Sequence, residues 1–214
     1  MRSPRIWSEL QETLSPKQIH LIRSTYRMMS EKGVHRISLQ DVADAAGVSK
    51  GTILYHFKTR ENLILVTMRW VLSRVAERIR DSVNKARTPE EKIAAMIDAI
   101  FVAPEANRRF YIVYLDLVGY AVQSDQFSRL SGTFRSIVNG MYADLIEFGV
   151  SHGTFDVPDV DEAATVVRAI IDGLFLQWMQ DEHWQELHGA YKDRCKRAVL
   201  SYLKGSRRNV LAEV

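Results

Sequence analysis

The chain has 214 residues, and its hydrophobic content of 46% is enough to bury the core of one large or two modest domains. The formal charge of +3 is unevenly placed, since residues 1–60 hold 10 Lys or Arg against 5 Asp or Glu, and the remainder holds 19 against 21. The single cysteine, Cys195, excludes an intramolecular disulfide and a cysteine-based metal cluster, so we expect an ordinary buried thiol.

The sequence has no run of about 18 uncharged apolar residues, and its N-terminus lacks the apolar core of a signal peptide. We therefore expect a soluble, cytoplasmic protein that makes no membrane contact. Five prolines, eleven glycines and the lack of alternating β-branched runs predict an all-α fold of about nine helices.

The chain opens with an arm, residues 1–14, that carries Arg2 and Arg5. We expect this arm to be disordered, with a DNA minor-groove contact as the alternative. Helix one is predicted to begin at the capping box Ser15-Pro16-Lys17-Gln18 and to end at Gly33. The apolar side of helix one can pack against the two helices that follow it. The sequence therefore predicts a three-helix head.

The two helices that follow are short and are joined by a tight turn. Ser38 supplies a hydroxyl cap for the first, and Gly47 ends it because glycine tolerates the positive φ of a helix C-terminus. Ser49 caps the second, whose first turn is Lys50-Gly51-Thr52. A charge, a bare backbone and a hydroxyl suit phosphate contact, close approach and base-edge hydrogen bonding. This helix end is therefore predicted to enter the major groove of DNA.

Residues 38–63 resemble, without a gap, the DNA-binding helix-turn-helix of the TetR family of one-component bacterial repressors. The matching residues are Ser38, Val42-Ala43, Ala46-Gly47-Val48-Ser49, Gly51-Thr52, Phe57 and Lys58-Thr59-Arg60-Glu61-Asn62-Leu63. One departure is Leu54, where the family usually has an aromatic residue. Together with the first-turn chemistry, the resemblance predicts these DNA contacts: Ser38, Ser49, Lys50, Gly51, Thr52, Tyr55, His56 and Arg60. For His56 the alternative is a histidine packed beside Phe57, which is itself assigned to the core.

Helix four opens at Thr59 and shows no helix breaker before Thr88-Pro89, so it is predicted to join the head to a larger helical body. We expect residues 1–58 to form the DNA-binding domain and residues 59–214 to form a helical domain for effector binding and dimerisation. Apolar residues recur at three- and four-residue intervals through the second domain, which predicts helices five to nine.

The resemblance implies that the last two helices of each subunit pack into an intersubunit four-helix bundle. Gly173, in the middle of helix eight, costs about 1 kcal/mol of helix propensity, which the close approach of another helix would explain. A short recognition helix also needs a second copy to recognise a palindrome. We expect a homodimer, with packing inside one subunit as the alternative. The predicted interface residues are Ile170, Gly173, Leu174, Trp178, Ala198 and Tyr202.

The resemblance also implies a pocket for a small effector. Aromatic and methionine side chains around a few polar groups suit a hydrophobic or amphipathic molecule. The candidate residues are Trp70, Met96, Phe101, Phe110, Tyr111, Tyr114, Asp116, Met141, Phe148, Asp172 and Phe175. Each could instead belong to the core, and Arg168, four residues before Asp172, could satisfy that carboxylate. The six histidines show no metal-ligand spacing, and we expect neither a metal nor a cofactor.

Three classes of function compete. The sequence shows no nucleophile elbow, glycine-rich phosphate loop or paired catalytic carboxylates, which argues against an enzyme. The motif, the charge segregation and the helical body predict a sequence-specific transcriptional regulator, a repressor that a small-molecule effector releases from a palindromic operator. The alternative is a DNA-binding regulator controlled by a protein partner, or a general DNA binder, with no small-molecule effector.

Overall fold

The computed structural model describes residues 14–122 and 125–205, and within them the chain forms nine helices and no strand. The helices are α1 (Pro16–Lys32), α2 (Leu39–Ala46), α3 (Lys50–Phe57), α4 (Arg60–Val83), α5 (Pro89–Ile100), α6 (Pro104–Ala121), α7 (Asp125–Ser151), α8 (Val160–Gln180) and α9 (Trp184–Lys204). The predicted all-α fold is confirmed. The expectations for the arm that carries Arg2 and Arg5 lie outside the described residues.

Side-chain caps set the starts of several helices. Ser15 begins α1, Thr88 begins α5 and Asp159 begins α8, and each accepts a hydrogen bond from an amide in the first turn of its helix. Gly33 ends α1 with a φ of 84°, in the region that favours glycine. These signals lie within a few residues of each helix end, which is why the sequence pattern predicts them.

By packing, the described residues divide into two units. The head unit contains residues 14–74, 109–122 and 125–134, and the body unit contains residues 75–108 and 135–205. Helices α4, α6 and α7 therefore each contribute residues to both units. The boundary predicted after residue 58 separates a DNA-binding domain from a domain for effector binding and dimerisation. The packing units do not test this functional division, so it stays a prediction.

The head unit has two hydrophobic cores that both use α4. The first core joins α1, α2, α3 and the start of α4, and it buries Ile22, Ile53 and Phe57 almost completely. The second core joins α4 to α6 and α7 through residues such as Met68 and Leu117. The helix-turn-helix, α2 and α3, therefore packs against α1 and α4. In the same unit, α4 also packs against α6 and α7.

In the body unit, α9 packs against both α8 and α5. The rings of Phe101 and Phe175 are stacked with 4.1 Å between their centroids, and Trp178 meets Phe175 edge-on at 5.7 Å. Trp178 and Phe175 have no exposed surface. Asn107, which is also buried, accepts from the Val102 amide at 3.0 Å and so fixes the α5–α6 connection.

The turn after α7 folds back onto that helix at Gly149. The Gly149 carbonyl accepts hydrogen bonds from the amides of Thr154 and Phe155 at 2.9 and 3.2 Å. The Phe155 ring is buried, and it occupies the space of a side chain at Gly149, where an added Cβ would lie 2.0 Å from Phe155 Cδ2. Glycine is needed here because an aromatic ring fills the position.

We expect Gly149→Ala to lower the free energy of unfolding by about 1–3 kcal/mol, because the Phe155 ring or the turn must move. Urea denaturation measures the change. Gly140→Ala on the same helix is the matched control, since an added Cβ there meets no described atom within 4 Å. Helix propensity predicts that the control gains up to about 1 kcal/mol. Equal stability of Gly149→Ala and wild type would contradict the close packing of Phe155.

Candidate DNA-binding surface

The first turn of α3 is presented to solvent. The Ser49 hydroxyl accepts a hydrogen bond from the Thr52 amide at 3.1 Å and lies 3.0 Å from the Thr52 hydroxyl. Lys50 and Gly51 are exposed, and Thr52 is half-buried. Four of the predicted DNA contacts therefore lie together in one helical turn. A helix N-terminus with a lysine and two hydroxyls suits the binding of phosphate and of base edges.

Side chains of α1 hold both ends of α2. Ser38 begins α2 through a capping box with Asp41, and Lys32 forms an ion pair with the same carboxylate. The hydrogen bond from Lys32, followed by those from Ser38, holds the pKa of the Asp41 carboxyl well below its usual range. At the other end, His20 and Arg27 donate to the carbonyl oxygens of the last two residues of α2 at 3.0 and 3.2 Å. Ser38, a predicted DNA contact, is therefore held in a fixed position.

Tyr55 is the most exposed aromatic residue described on α3, with 74% of its surface accessible. Its ring meets the half-buried His56 ring edge-on at 5.1 Å. The Lys58 ammonium lies 5.5 Å from the Tyr55 ring centroid and donates to the Tyr55 carbonyl at 3.0 Å. Sequence reasoning placed Lys58 in the motif without a DNA role. The signal it missed is a lysine three residues after an exposed tyrosine, which adds positive charge at the end of α3.

Arg60, another predicted DNA contact, is bonded to the loop between α1 and α2. Its Nε donates to the Ile37 carbonyl at 2.7 Å, and its Nη2 donates to the carbonyls of Val34 and His35 at 2.6 and 3.3 Å. These bonds satisfy three carbonyls of a non-helical loop, so Arg60 ties the first residue of α4 to the approach to α2. A direct contact between Arg60 and DNA stays a prediction.

The predicted effector-binding residues are divided between the two units. The head unit holds Trp70, Phe110, Tyr111, Tyr114 and Asp116, and the body unit holds Met96, Phe101, Met141, Phe148, Asp172 and Phe175. In the body unit, the stacked Phe101 and Phe175 fill the space between themselves, and Arg168 lies 3.4 Å from Asp172. These contacts are the ones expected if Phe101 and Phe175 belong to the core and if Arg168 satisfies the Asp172 carboxylate.

In the head unit, Trp70 packs against the first core beneath the Arg23 guanidinium, 5.8 Å from its ring centroid. Asp116 accepts a hydrogen bond from the Val34 amide at 2.9 Å. Its carboxylate therefore has a structural partner within the head unit.

A cavity in the head unit lies among α4, α6 and α7, with about 330 Å³ of atom-free space including its open mouth. It is lined by Met68, Leu72, Tyr114, Leu117, Val118, Phe127, Ser131 and Phe134. Of the predicted effector-binding set, Tyr114 lines it. The sequence marks the other apolar lining residues only as parts of helical stripes, and those stripes look the same whether they face a cavity or a solid core.

The predicted interface residues lie on α8 and α9, and they differ in exposure. Ile170, Gly173, Leu174, Ala198 and Tyr202 keep accessible surface, whereas Trp178 has none. The Trp178 indole donates instead to the Trp184 carbonyl, so it contributes no surface to a partner. An added Cβ at Gly173 meets no described atom within 4 Å, so packing within the described part of the subunit does not require this glycine.

The described residues show no metal cluster and no membrane-spanning helix, and the cysteine among them is buried. Residues 14–122 and 125–205 contain no group of three or more His, Cys, Asp or Glu side chains arranged to hold a metal ion. Among the same residues, every helix is too short or too polar to cross a bilayer. Cys195 is buried, and burial raises the pKa of its thiol to about 12, so the thiolate that reacts with oxidants is scarce at neutral pH.

Comparison with protein families places both parts of the chain among transcriptional regulators. Residues 21–67 match the model for bacterial regulatory proteins of the tetR family. Residues 89–205 match the model for the C-terminal part of BetI-type transcriptional repressors, and this match alone covers more than half of the chain.

Individual relatives agree with this placement. The chain is 26% identical over 197 residues to the transcriptional regulator PksA of Bacillus subtilis, with 88% of this chain and 92% of PksA covered. It shares its fold with a transcriptional regulator from Saccharomonospora viridis in complex with choline, with a TM-score of 0.76, 21% identity, and 88% and 96% of the two chains covered. The fatty acid degradation regulator FadR from Bacillus halodurans has a TM-score of 0.76, with 22% identity and coverage of 92% and 99%.

We expect Lys50→Ala and Arg60→Ala to weaken operator binding in different ways. Lys50 is exposed, so its loss should cost about 1–3 kcal/mol of binding and leave the melting temperature unchanged. Loss of Arg60 leaves three loop carbonyls without their donor, so both operator affinity and melting temperature should fall. Gel-shift titration and thermal melting measure the two quantities. Lys85→Ala, an exposed lysine of the body unit, is the control.

Unchanged operator affinity of Lys50→Ala at moderate salt would remove Lys50 from the DNA surface. An Arg60→Ala protein that melts like wild type and yet binds weakly would assign Arg60 to direct DNA contact.

Proposed function

The chain belongs to the TetR family of bacterial transcriptional regulators, and we propose that it acts as a dimeric repressor that a small effector releases from a palindromic operator. The family membership predicted from residues 38–63 is confirmed. Operator DNA lies in the bacterial cytoplasm, and we propose that the protein works there, by controlling transcription rather than by catalysing a reaction.

The observation that carries this proposal is the exposed first turn of α3. Lys50 offers a cation, Gly51 lets the backbone approach closely, and Thr52 offers a hydroxyl for a base edge. Tyr55 extends the same exposed surface by one turn of helix. Phosphate contacts fix the register of such a helix on DNA, and the base contacts supply the sequence preference.

A single α3 turn covers too few base pairs to select one operator, so the proposal includes a second copy of the chain. Two-fold related heads that enter successive major grooves must lie about one turn of DNA apart, roughly 34 to 36 Å. Accessible Ile170 and Ala198 on α8 and α9 support an interface on these helices. The open space around Gly173 supports it further, because a partner helix could approach there.

Release follows from thermodynamic linkage. An effector that binds the spacing of a DNA-free dimer better than the operator-bound spacing must weaken operator binding, and the operator must weaken effector binding by the same factor. Coupling of about 1–3 kcal/mol is typical for such systems. The choline complex of the S. viridis regulator gives one precedent for a small ligand bound to this fold.

The proposal is tested by selecting an operator from a random DNA library and then titrating ligands into the complex. We expect the selected DNA to be palindromic and to bind at least about a thousandfold more tightly than scrambled DNA at physiological salt. A ligand found by thermal shift should then release it. Equal affinity for scrambled DNA would point to a general binder. A stabilising ligand that leaves operator affinity unchanged at saturation would contradict effector control.

We expect Gly173→Leu to weaken the dimer by about 1–3 kcal/mol, because the added side chain separates the packed helices. Operator affinity should fall with it, although Gly173 is in the body unit and α3 is in the head unit. Sedimentation at several concentrations measures dimerisation, and Gly119→Leu, at an exposed glycine of α6, is the control. A wild-type protein that is monomeric at micromolar concentration would refute the dimer.

A further inference from the structure

The DNA-binding helix α3 has one aliphatic side chain that is open to solvent. Leu54 keeps 38% of its surface accessible, whereas Ile53 and Phe57 of the same helix are buried in the first core. It is also the position at which this chain departs from the aromatic residue that is usual in its family. Because apolar surface gains free energy when it leaves water, a partner that covers Leu54 with an apolar group would bind more tightly.

Leu54 lies over the first turn of α3. The side chains of an α-helix lean toward its N-terminus, so each residue covers the residues three and four positions before it. For Leu54 these residues are Gly51 and Lys50, and both are exposed. The leucine is therefore placed beside the charge and the bare backbone that the proposed function brings to DNA.

Gly51 leaves the backbone beside Leu54 uncovered. It is a helical residue without a positive φ, so its backbone conformation does not require glycine. Beyond its chain neighbours and its own helix backbone, an added Cβ would meet one described atom within 4 Å, the Ser49 hydroxyl oxygen at 3.6 Å, which is an ordinary contact. Packing within the described residues therefore does not account for a residue that lowers helix propensity. What this glycine allows is close approach to the backbone beside an apolar side chain.

Among the four bases, thymine presents an apolar group in the major groove. Its C5 methyl group lies beside the O4 acceptor, whereas adenine, guanine and cytosine present hydrogen-bond donors and acceptors there. A leucine side chain has no donor or acceptor, so a polar base edge pressed against it would lose water without gaining a partner. The thymine methyl group loses no hydrogen bond and buries apolar surface against the leucine. The chemistry of Leu54 therefore favours thymine.

We propose that Leu54, with the bare backbone of Gly51 beside it, recognises the C5 methyl group of one thymine in each half of the operator. The inference rests on the proposed function and adds to it one base and the residue that selects this base. Lys50 and Thr52 contribute hydrogen-bonding groups to the same helical turn, and Leu54 contributes the apolar contact.

The DNA side of this contact is tested with the wild-type protein. Each thymine of the selected operator is replaced in turn by deoxyuridine, symmetrically in both halves, which removes the methyl group and keeps the base pairing and the O4 acceptor. At one position the replacement should weaken binding about fifteenfold, because one buried methyl group accounts for about fourfold in each half. An operator in which no deoxyuridine weakens binding would overturn the inference, and this result does not depend on how a variant folds.

The protein side is tested with Leu54→Ala. This variant should bind the thymine operator more weakly than wild type by a similar factor, and it should bind the thymine and deoxyuridine operators equally, because both changes remove the same contact. Leu54→Met keeps an apolar side chain and should keep the preference for thymine. Leu115→Ala on α6 is the matched control, since Leu115 is 36% exposed, and it should retain both affinity and preference. A Leu54→Ala protein that still prefers thymine would contradict the inference.

Two neighbouring side chains could also meet a methyl group, and they are tested in the same way. Thr52→Ser removes the threonine methyl and keeps the hydroxyl, and Tyr55→Ala removes the exposed ring. Both variants should keep the wild-type ratio between the affinities for thymine and deoxyuridine operators, even where the affinity itself falls. Loss of this ratio in either variant, with its persistence in Leu54→Ala, would assign the methyl group to that other residue and overturn the inference.

A methyl group can also be restored without thymine. At the sensitive position, the T·A pair is replaced by C·G in both halves, and the cytosine is then replaced by 5-methylcytosine, whose methyl group lies at the same place in the major groove. Wild type should bind the methylated operator about fifteenfold more tightly than the unmethylated one. Leu54→Ala should not distinguish them. Equal binding of both operators by wild type would overturn the inference.

Thermal melting shows whether each variant has kept its fold. Leu54 is exposed, so Leu54→Ala and Leu54→Met should melt like wild type. If Leu54→Ala does not fold, Leu54→Asn, a polar side chain of nearly the same shape, takes its place and should likewise lose the preference for thymine. Failure of the proposed function has a different signature, since wild type would then prefer no selected operator. A wild-type protein that selects a palindrome and yet ignores every methyl group would overturn this inference alone.

Discussion

The position of the DNA-binding helices depends on how the loop between α1 and α2 satisfies its backbone. Arg60 donates to three carbonyls of this loop, and a partly buried carbonyl that lost its donor would cost about 1–3 kcal/mol. The first residue of α4 therefore fixes the path of the chain into Ser38. Because Ser38 caps α2, and α2 packs against α3, the exposed turn that begins at Lys50 takes its position from α4. Removal of a single cation would loosen this whole arrangement.

The sequence predicted the parts of the fold that depend on neighbouring residues. The caps at Ser38 and Ser49 bond to amides three residues away, so composition and spacing reveal them. The contacts of Arg60 and Asp116 were not predictable in this way, because their partners lie 26 and 82 residues away from the respective charged groups. A charged residue inside a DNA-binding motif has the same pattern whether it meets phosphate or a carbonyl of its own chain. Helix caps are therefore easier to predict from the sequence than the partner of each charged residue.

The sequence pattern likewise does not show which aromatic residues line a cavity. Helical spacing places Phe101 and Phe175 on inward faces, but it does not distinguish rings that surround a cavity from rings that stack on each other at 4.1 Å. Rings stacked at this distance leave no space between themselves. The cavity of the head unit is lined largely by residues such as Met68 and Leu117, which belong to ordinary apolar stripes. A cavity results from imperfect filling among three helices, and that property depends on how all their side chains pack together.

Gly149 and Gly173 both lie inside long helices, but they differ in what surrounds them. Gly149 is explained within the subunit, because Phe155 occupies the space where its side chain would be. Gly173 has no such neighbour among the described residues, so packing within the described part of the subunit does not account for its cost in helix propensity. The proposed two-fold dimer would account for it, and such a dimer has a geometric consequence for control. Each displacement of one head is repeated by symmetry in the other, so the separation of the two α3 helices changes by the sum of both movements. A small displacement of each head would thereby become a larger mismatch with the fixed spacing of the DNA grooves.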